Sequence, residues 1–471
     1  MKRRKFIASL GWLTAGWVVA PFSPAKAFTG SDKKIKGAVK AKGKGLKGVV
    51  VSDGYTVTAT DESGKYEIEL HPNAVAVFVS TPAGYAFQHE KGLSKHYRMV
   101  NDINSRKVNF ELEPLTSDDN EHRFIIWADP QVKTEKDVNR MMAESVPDVQ
   151  KIVQAAGGAL LHGITVGDIV WDNHELFSHY NSAVEKMGIP FFQCIGNHDM
   201  DYNKGGDDLS DDTFQQHYGP TWYSFNRGKV HYVVLDDVRY LGKEKEYDGY
   251  ISEEQLSWLQ KDLSFVPKDN LVIVCLHIPV HNEVKNNNDL YALLKDRNVH
   301  IMSGHTHYHR NVIKDNIFEH NHGTVCGAWW TGPICGDGTP SGYGVYTVKG
   351  TELSWYYQST GKEADHQLSI HMQDQDAQNK KMDVNVWNYD PAWTVECWID
   401  GQQFDGLQRA DGLDPLAVAL YQGPELPKPR GFAEPKKTDH LFGAVIPASA
   451  KQVKVIATDR FGKKYVSEYN A

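Results

Sequence analysis

Five short polar motifs recur through the middle of this 471-residue chain, and each follows a run of apolar residues. In chain order they are Asp129-Pro130-Gln131, Gly167-Asp168, Gly196-Asn197-His198-Asp199, His277 and Gly304-His305-Thr306-His307. With His198 set aside, their donors are three imidazoles, two carboxylates and two side-chain amides. Such a mixture of oxygen and imidazole donors suits Mn, Fe, Zn or Co better than Ca or a thiolate-bound metal.

Seven donors are more than one ion needs once positions are kept open for water and substrate. They fit two ions that share a bridging carboxylate. A metal pair about 3.5–4 Å apart clamps the attacking and leaving oxygens of a phosphoryl transfer, and it lowers the pKa of bound water so that hydroxide forms at neutral pH. The donor set therefore predicts metal-assisted hydrolysis of a phosphate ester.

The elements that must position these donors form an alternating series from residue 121 onwards. Residues 124–128 are a continuous apolar run, which is typical of a strand buried on both faces. Further strand-like runs lie at 160–166, 190–195, 230–235, 271–276 and 298–302, and helical patterns lie at 135–157, 174–187, 252–264 and 288–296. Pro147 should break or kink the first helix. This alternation predicts an α/β sheet whose strand ends gather the five motifs at one edge.

The sequence divides into three domains after an N-terminal segment. Residues 33–114 contain short β-prone segments separated by Gly- and Asp-rich turns, and they resemble the carboxypeptidase-regulatory-like β-sandwich modules. Residues 121–345 form the α/β domain, and residues 346–471 return to short β-prone segments. The predicted fold is an α/β core between two smaller all-β sandwich domains.

The order of the motifs resembles that of the calcineurin-like metallophosphoesterase superfamily. The resemblance rests on Asp-x-Gln, Gly-Asp, Gly-Asn-His-Asp, His and Gly-His-x-His, and it covers the middle domain, about half of the chain. It implies a metallophosphoesterase core of β-sheets flanked by helices. It also implies two divalent metal ions as cofactors and a small-molecule phosphate ester as substrate.

The resemblance also implies a role for each residue. The first ion would be held by Asp129, Gln131, Asp168 and His307, with Asp168 as the bridge; the second would be completed by Asn197, His277 and His305. His198 would stand near the scissile phosphate and protonate the leaving oxygen as a general acid. Asp172 or Asp199 would orient His198, and Asp172 is preferred because a second acid after Gly-Asp has this role in some relatives.

Gln131 departs from the pattern, because most of the family has His at this position. A neutral amide oxygen is a weaker donor than imidazole, so we expect a looser first metal and a preference for Mn, with Fe, Zn and Co as alternatives. Asp-x-Gln resembles the branch with Mn-dependent ADP-ribose/CDP-alcohol pyrophosphatases. The same residues resemble the Asp-Pro-Gln of a phosphoprotein-phosphatase-like branch.

Three functions follow from these observations. The first is hydrolysis of a phosphomonoester or phosphodiester by a hydroxide that bridges two metal ions. The second is pyrophosphatase action on nucleotide-linked diphosphates, since Trp329 and Trp330 could stack on a base or sugar with His322 nearby, or pack under their loop instead. The third is a catalytically inactive binding protein whose flanking β-domains grip a glycan or partner.

The N-terminus predicts export to the periplasm or beyond. Arg3-Arg4 precedes an apolar stretch of about 14 residues, and Ala25-Lys26-Ala27 offers a small-x-small cleavage site, so residues 1–27 resemble a twin-arginine signal. This segment carries five positive charges and no acid, so its removal changes the net charge from −9 to −14. An acidic protein is not expected to bind a nucleic-acid polymer, and no membrane span is expected after signal removal. Cys326 and Cys335 could form a disulfide in an exported protein.

Overall fold

The computed structural model describes residues 34–103, 105–428 and 430–471. The predicted export signal at residues 1–27 lies outside the described residues. None of the helices in the described part of the chain has the length and apolar content needed to cross a membrane.

Two sheets form the centre of the molecule. The first has the order β23-β22-β11-β12-β13-β8-β7. Its strands are β7 (His89–Glu90), β8 (Leu93–Ser94), β11 (Glu121–Trp127), β12 (Leu161–Val166), β13 (Phe191–Cys194), β22 (Gly342–Lys349) and β23 (Glu352–Ser359). The second has the order β14-β15-β18-β19-β21-β20. Its strands are β14 (Tyr223–Arg227), β15 (Val230–Val234), β18 (Leu271–Cys275), β19 (Asn298–Ser303), β20 (Arg310–Lys314) and β21 (Ile317–Asn321).

The helices and one hairpin connect these strands. The hairpin pairs β16 (Val238–Tyr240) with β17 (Tyr247–Gly249). The helices are α1 (Glu135–Arg140), α2 (Val146–Ala155), α3 (Phe177–Met187), α4 (Asp212–Tyr218), α5 (Glu253–Leu263), α6 (Asn287–Leu294) and α7 (Pro415–Tyr421). A π-helical turn, Met141–Ser145, joins α1 to α2, and Pro147 lies in the first turn of α2. The predicted interruption is therefore a bulge within one helical stretch, since a proline in a first turn needs no N–H partner.

The side chains of β12 and β15 show how the layers stack. His162 on β12 and Tyr232 on β15 meet edge to face at 5.0 Å between the two sheets. The opposite face of β12 carries Thr165, whose hydroxyl lies 2.6 Å from that of Tyr180 on α3. Because successive strand residues face opposite sides, each sheet packs on its partner with one face and on helices with the other. This four-layer arrangement confirms the predicted α/β core.

The parallel strands of both sheets end at the same edge. In the first sheet Trp127 pairs with Thr165, and Val166 pairs with Cys194. In the second sheet Cys275 pairs with Met302. The segments that follow these strands therefore begin side by side, as expected for ligand sites at the carboxyl ends of parallel strands.

The N-terminal region builds two small sheets and also reaches into the core. Its own strands are β1 (Lys34–Ala41), β2 (Lys44–Gly45), β3 (Val50–Ser52), β4 (Val57–Ala59), β5 (Lys65–Glu69), β6 (Ala76–Val79), β9 (Tyr97–Met99) and β10 (Phe110–Glu111). Strands β7 and β8 join the first core sheet instead, through the pair Leu93 and Phe191. The two small sheets enclose their own hydrophobic cluster, which includes Ile35, Val51 and Phe110, as the predicted β-sandwich requires, and the β7–β8 hairpin extends from this unit into the core sheet.

The C-terminal region is a β-sandwich with one helix. Its strands are β24 (Ser369–Asp374), β25 (Asn379–Asn385), β26 (Thr394–Ile399), β27 (Gln402–Phe404), β28 (Gln408–Leu413), β29 (Lys437–Pro447), β30 (Gln452–Thr458) and β31 (Lys464–Asn470). The predicted boundary at residue 346 is wrong, because β22 and β23 extend the core to Ser359. Helix α7 was not predicted, although Asp414 caps it by accepting a hydrogen bond from the Ala417 N–H at 2.9 Å.

Candidate metal centre and active site

Five of the predicted ligands lie in left-handed backbone conformations. Their φ angles are 47° at Asp129, 38° at Gln131, 48° at Asp168, 72° at His305 and 54° at His307. Non-glycine residues rarely adopt such angles, and each costs about 1–3 kcal/mol unless the surrounding structure imposes it. Their concentration at the strand ends shows that the fold turns these side chains toward one point.

Glycines in the motifs allow the loops to approach each other. A Cβ atom on Gly167, which has a φ of 83°, would lie 2.4 Å from Nδ1 of His277. A Cβ atom on Gly196 would lie 2.1 Å from the backbone nitrogen of Asp168. Both positions therefore require glycine for the close contact between neighbouring strand ends.

Asp168 lies at the centre of the donor set. Its Oδ1 accepts a hydrogen bond from the His198 N–H at 2.9 Å and lies 3.3 Å from Nε2 of His277. Its Oδ2 accepts a hydrogen bond from Nε2 of Gln131 at 3.0 Å. A carboxylate that reaches donors on both sides suits the bridging position implied by the motif order.

One half of the site gathers around His277. Its Nε2 lies 3.1 Å from Oδ1 of Asn197 and 3.1 Å from Nδ1 of His305. Donor atoms of Asp168, His277 and His305 all lie within 4.8 Å of one another. This spacing allows one cation to contact all three side chains.

The other half of the site contains buried oxygens without partners. Oδ1 of Asp129 and Oε1 of Gln131 are buried and have no hydrogen-bond donor among the described residues. His307 approaches Asp129, with its Nε2 3.6 Å from Oδ1. Since an unsatisfied buried polar group costs about 1–3 kcal/mol, a cation here would remove the penalty. The residues present fit a pair of divalent ions, and all seven predicted ligands are brought together.

The ligands perturb each other's protonation. Burial raises the pKa of Asp129 to about 8. Burial would also raise the pKa of Asp168, but His277 and His198 outweigh it and lower that pKa below its usual range. For His277 burial opposes the charged form, yet Asp168 and Asp129 raise its pKa to about 10. Burial instead lowers the pKa of His305 to about 3 and that of His307 to about 4, which keeps both imidazoles in the neutral form that binds a metal.

His198 stands beside this centre with its own carboxylate partner. Its Nδ1 lies 2.8 Å from Oδ1 of Asp172, and Lys245 contacts the other oxygen of Asp172. Burial lowers the pKa of His198, but Asp168 and the hydrogen bond that His198 donates to Asp172 outweigh it, so the pKa is raised. A histidine held in this way has Nε2 available for proton transfer.

Asp199 has a different position from the one predicted. It is fully buried, and its carboxylate accepts backbone N–H groups of Ile169 at 3.1 Å, Val170 at 3.0 Å and Gly196 at 3.0 Å. These hydrogen bonds link the loop after β12 to the loop after β13. No hydrogen bond joins the Asp199 carboxylate to the His198 ring among the described residues. Asp172 is the residue that orients His198.

Groups outside the motifs orient the ligands. The buried Asp237 accepts the backbone N–H of His277 at 3.0 Å, and Nδ1 of His277 lies 2.9 Å from the carbonyl of Val166. Nδ1 of His307 lies 2.8 Å from the carbonyl of Gly327. Such partners fix which ring nitrogen can bind a metal. Asp237 was missed by the sequence reasoning, although its place just after β15 was a usable signal.

Three aromatic side chains stand close to the two histidines. Trp329 stacks on His307 with ring centroids 4.4 Å apart, and Trp171 lies 5.5 Å from His198. Phe432, from the C-terminal region, contacts Trp329 at 5.1 Å and Trp171 at 5.7 Å and is 55% exposed. We call Trp171, Trp329 and Phe432 the aromatic rim. Of these, only Trp329 was predicted, because Phe432 is brought there by tertiary packing.

The C-terminal region is held against the site by Arg430. Its Nη2 lies 2.7 Å from Oδ2 of Asp137, and both residues are buried. It also donates to the backbone carbonyl of Trp329. Asp137 closes the capping box at the start of α1 with Thr134. The region therefore contributes to the architecture of the site.

Two residues predicted to contact substrate have structural positions instead. His322 is fully buried, and its ring nitrogens lie 3.0 Å from the carbonyl of Ser303 and 2.7 Å from the hydroxyl of Tyr346. Trp330 is 7% exposed and donates to the carbonyl of Pro130 at 2.8 Å. Both side chains have their polar groups engaged within the protein, so the structure supports the alternative in which Trp330 packs under its loop, and it places His322 in the core and not at a substrate surface. Cys326 and Cys335 are buried free thiols.

Comparison with known families matches regions on both sides of the predicted ligands. Residues 33–115 match the model of the N terminal of Calcineurin-like phosphoesterase. Residues 319–465 match the model of the C terminal of Calcineurin-like phosphoesterase. The chain belongs to the calcineurin-like phosphoesterases. The first match coincides within one residue with the predicted N-terminal β-domain, residues 33–114.

Individual proteins are similar over parts of the chain. A probable glycerophosphodiester phosphodiesterase GpdQ of Arcobacter nitrofigilis is 30% identical over 137 residues, which are 26% of this chain and 45% of that relative. The match thus spans less than half the length of the relative. A dimetal phosphatase from Danio rerio has a TM-score of 0.38 at 14% identity, covering 50% of this chain and 96% of its own. Purple acid phosphatase PPD1 from Lupinus luteus has a TM-score of 0.33 at 14% identity, covering 76% of this chain and 73% of its own.

Proposed function

We propose that this protein hydrolyses a phosphodiester or phosphomonoester with the help of two divalent metal ions. The observation that carries the proposal is the convergence of seven ligands beside the His198 and Asp172 pair. When bound, the ions supply an activated water and neutralise charge on the phosphate. Unpartnered oxygens on Asp129 and Gln131 make this the natural place for them.

The chain's own residues supply the proton and the positioning. Asp172 holds Nδ1 of His198 at 2.8 Å, which leaves Nε2 to protonate the leaving oxygen. Lys245 contacts Asp172 and adds positive charge at the same side. The remaining ligands are fixed by backbone carbonyls and buried carboxylates, so they need little rearrangement during the reaction.

Phosphodiesters are the substrate class we favour. The similar bacterial protein is named as a probable glycerophosphodiester phosphodiesterase. The aromatic rim offers apolar surface next to His198 and His307, which suits an organic group on the phosphate. A nucleotide-linked diphosphate is the second candidate, because a base could stack on Trp329, which is only partly buried.

A substrate panel with Mn, Fe, Zn and Co tests the proposal. We expect turnover of bis-p-nitrophenyl phosphate and of glycerophosphodiesters with Mn, and loss of turnover in Asn197→Ala. ADP-ribose in the same panel measures the pyrophosphatase alternative. Absence of turnover with every metal, or full activity of Asn197→Ala, would sink the hydrolase proposal. Metal analysis that found no bound ions would favour the binding-protein alternative.

The role of His198 can be tested separately through the leaving group. A general acid contributes about 10²–10⁴-fold to the rate. We expect His198→Ala to lose far more activity toward an alkyl phosphodiester than toward a p-nitrophenyl ester, because p-nitrophenolate needs little protonation. Equal losses for both substrates would show that His198 has another task.

A further inference from the structure

A cavity lined by none of the predicted metal ligands lies between the N-terminal region and the core. Its volume is about 430 Å³, and six carboxylates line it: Asp53, Asp207, Asp208, Asp211, Asp236 and Glu254. We call this cavity the acidic cleft. Its size falls within the range of small-molecule sites, about 300–1,000 Å³.

The acidic cleft has little positive charge to balance these groups. The one Lys or Arg among its lining residues is Arg239, whose guanidinium is committed to Asp248 at 2.9 and 2.8 Å. Within the described part of the chain, no ion pair engages the lining carboxylates. Neutral donors contact four of the six: Asp53 accepts backbone N–H groups of Tyr55, Thr56 and His71, Asp207 accepts that of Tyr240, Asp236 accepts that of Val238, and Asp211 accepts the hydroxyl of Ser210.

Two of the carboxylates are buried and have no cationic partner among the described residues. Asp211 is 9% exposed and Asp236 is 8% exposed. Burial, together with the charge of Asp207, raises the pKa of Asp211 to about 7. Burial and the charges of Asp211 and Asp207 raise the pKa of Asp236 well above its usual range. These groups repel one another, so a bound cation would stabilise the protein.

A neutral polar group in the cleft also lacks a partner. Thr221 is 1% exposed, and its hydroxyl has no hydrogen-bond partner among the described residues. Such a group is rare in folded proteins and indicates a missing ligand or water. Tyr55 and Trp222 line the cleft beside it and meet edge to face at 5.5 Å. Aromatic faces bind organic cations and methylene chains.

The lining of the cleft distinguishes between kinds of cation. Among the described residues, the one compact group of three or more metal-binding side chains contains Asp168, His277 and His305 and none of the cleft carboxylates. The cleft also presents the rings of Tyr55 and Trp222 beside its acids, and a bare metal ion would leave this apolar surface uncovered. A flexible molecule with several ammonium groups and a methylene chain meets both kinds of surface.

We propose that the acidic cleft binds an aliphatic polyamine, a small molecule with two or more ammonium groups. One ammonium group pairs with Asp211 and another with Asp236. The methylene chain lies against Tyr55 and Trp222, and the Thr221 hydroxyl accepts a hydrogen bond from an ammonium group. This site is separate from the metal centre and does not depend on the hydrolase proposal.

Isothermal titration of the full chain with spermidine and putrescine tests the proposal. We expect saturable binding that weakens with salt, since the contacts are ionic. The double variant Asp211→Asn/Asp236→Asn should weaken binding at least about tenfold, the loss expected when two charge pairs disappear. It should also raise the melting temperature without polyamine, because like-charge repulsion is relieved. Glu352→Gln, an exposed acid on β23, is the matched control.

Each outcome of these binding measurements either supports or overturns the polyamine proposal. Unchanged spermidine affinity in the folded double variant would overturn the proposal, as would the absence of saturable binding. Binding of Ca²⁺ or Mg²⁺ at the cleft without binding of polyamines would overturn it in favour of a metal site. Retention of phosphodiesterase activity by the double variant would confirm that any loss of polyamine binding is not a folding defect.

Discussion

Oδ1 of Asp172 lies 2.8 Å from Nδ1 of His198, although the two residues belong to different strand-end loops. Asp172 reaches this position with a φ of 57°, and Lys245 from the β16–β17 hairpin contacts its second oxygen. A carboxylate held from both sides fixes the orientation of the imidazole. Under the proposed function, Asp172 acts through His198 and is a positioning residue.

Replacement of Asp172 by Asn should lower kcat and leave KM almost unchanged. The amide preserves the shape but no longer stabilises a charged imidazole, and loss of such orienting partners typically costs about 10–100-fold in activity. Steady-state kinetics of Asp172→Asn with a glycerophosphodiester measures this. Lys245→Met is the control, with a smaller loss because Asp172 stays in place. A change confined to KM would show that Asp172 contacts substrate instead.

Gln131 should determine how firmly the first metal is held. Its Oε1 is buried without a partner, while its Nε2 donates to Asp168 at 3.0 Å. In Gln131→Ala we expect bound metal to fall from two ions toward one per chain, because one donor is lost from one ion only. Elemental analysis of purified protein checks this, with Gln154→Ala, an exposed position on α2, as control. Two firmly held ions in Gln131→Ala would contradict the assigned ligand.

The motifs and the core strands could be predicted from the sequence because both are local patterns. Phe124 to Ala128 and Leu271 to Cys275 are buried apolar runs whose ends carry the ligands, and the structure has strands there. The sheet partners of β22 and β8 could not be predicted, since pairing with β11 and β13 depends on distant residues. The boundary error at residue 346 has this cause.

The contribution of the C-terminal region to the site could not be predicted from the sequence for the same reason. Arg430 and Asp137 are 293 positions apart, and neither belongs to a motif. Phe432 is an isolated apolar residue in a polar stretch, a pattern that usually indicates nothing. Only the folded chain places it against Trp329.

Arg430 should be required for stability as well as for the shape of the site. Arg430→Met leaves Asp137 buried without its cation, and breaking a buried pair in this way costs about 3–5 kcal/mol. We expect a clear fall in the melting temperature. The double variant Arg430→Met/Asp137→Asn should recover part of it, because the uncompensated charge is gone. An additive loss in the double variant would contradict the coupling.

The twin-arginine segment predicts export of the folded protein. Replacing Arg3 and Arg4 by Lys keeps the charge but removes the pair that this signal type resembles. We expect the double variant to accumulate in the cytoplasm with its N-terminus intact. Fractionation and N-terminal sequencing measure this, and Lys26→Arg near the cleavage site is the charge-conserving control. Normal export of the double variant would show that the segment works as another signal type.

Phe432 should contribute to binding of aromatic substrates. It is 55% exposed and forms one side of the aromatic rim with Trp171 and Trp329. An aromatic contact is worth about 0.5–1.5 kcal/mol, so Phe432→Ala should raise KM for bis-p-nitrophenyl phosphate about two- to tenfold and leave kcat similar. For glycerophosphoethanolamine, which has no ring, KM should change little.

The matched control for this prediction is Phe461→Ala. Phe461 is 45% exposed in the same region, but it packs on Trp355 at 4.9 Å rather than on the rim. We expect its kinetics to match those of the unaltered protein with both substrates. If Phe432→Ala changed KM equally for the aryl and the alkyl diester, the rim would be shaping the loop of Trp329 and not binding the organic group of the substrate.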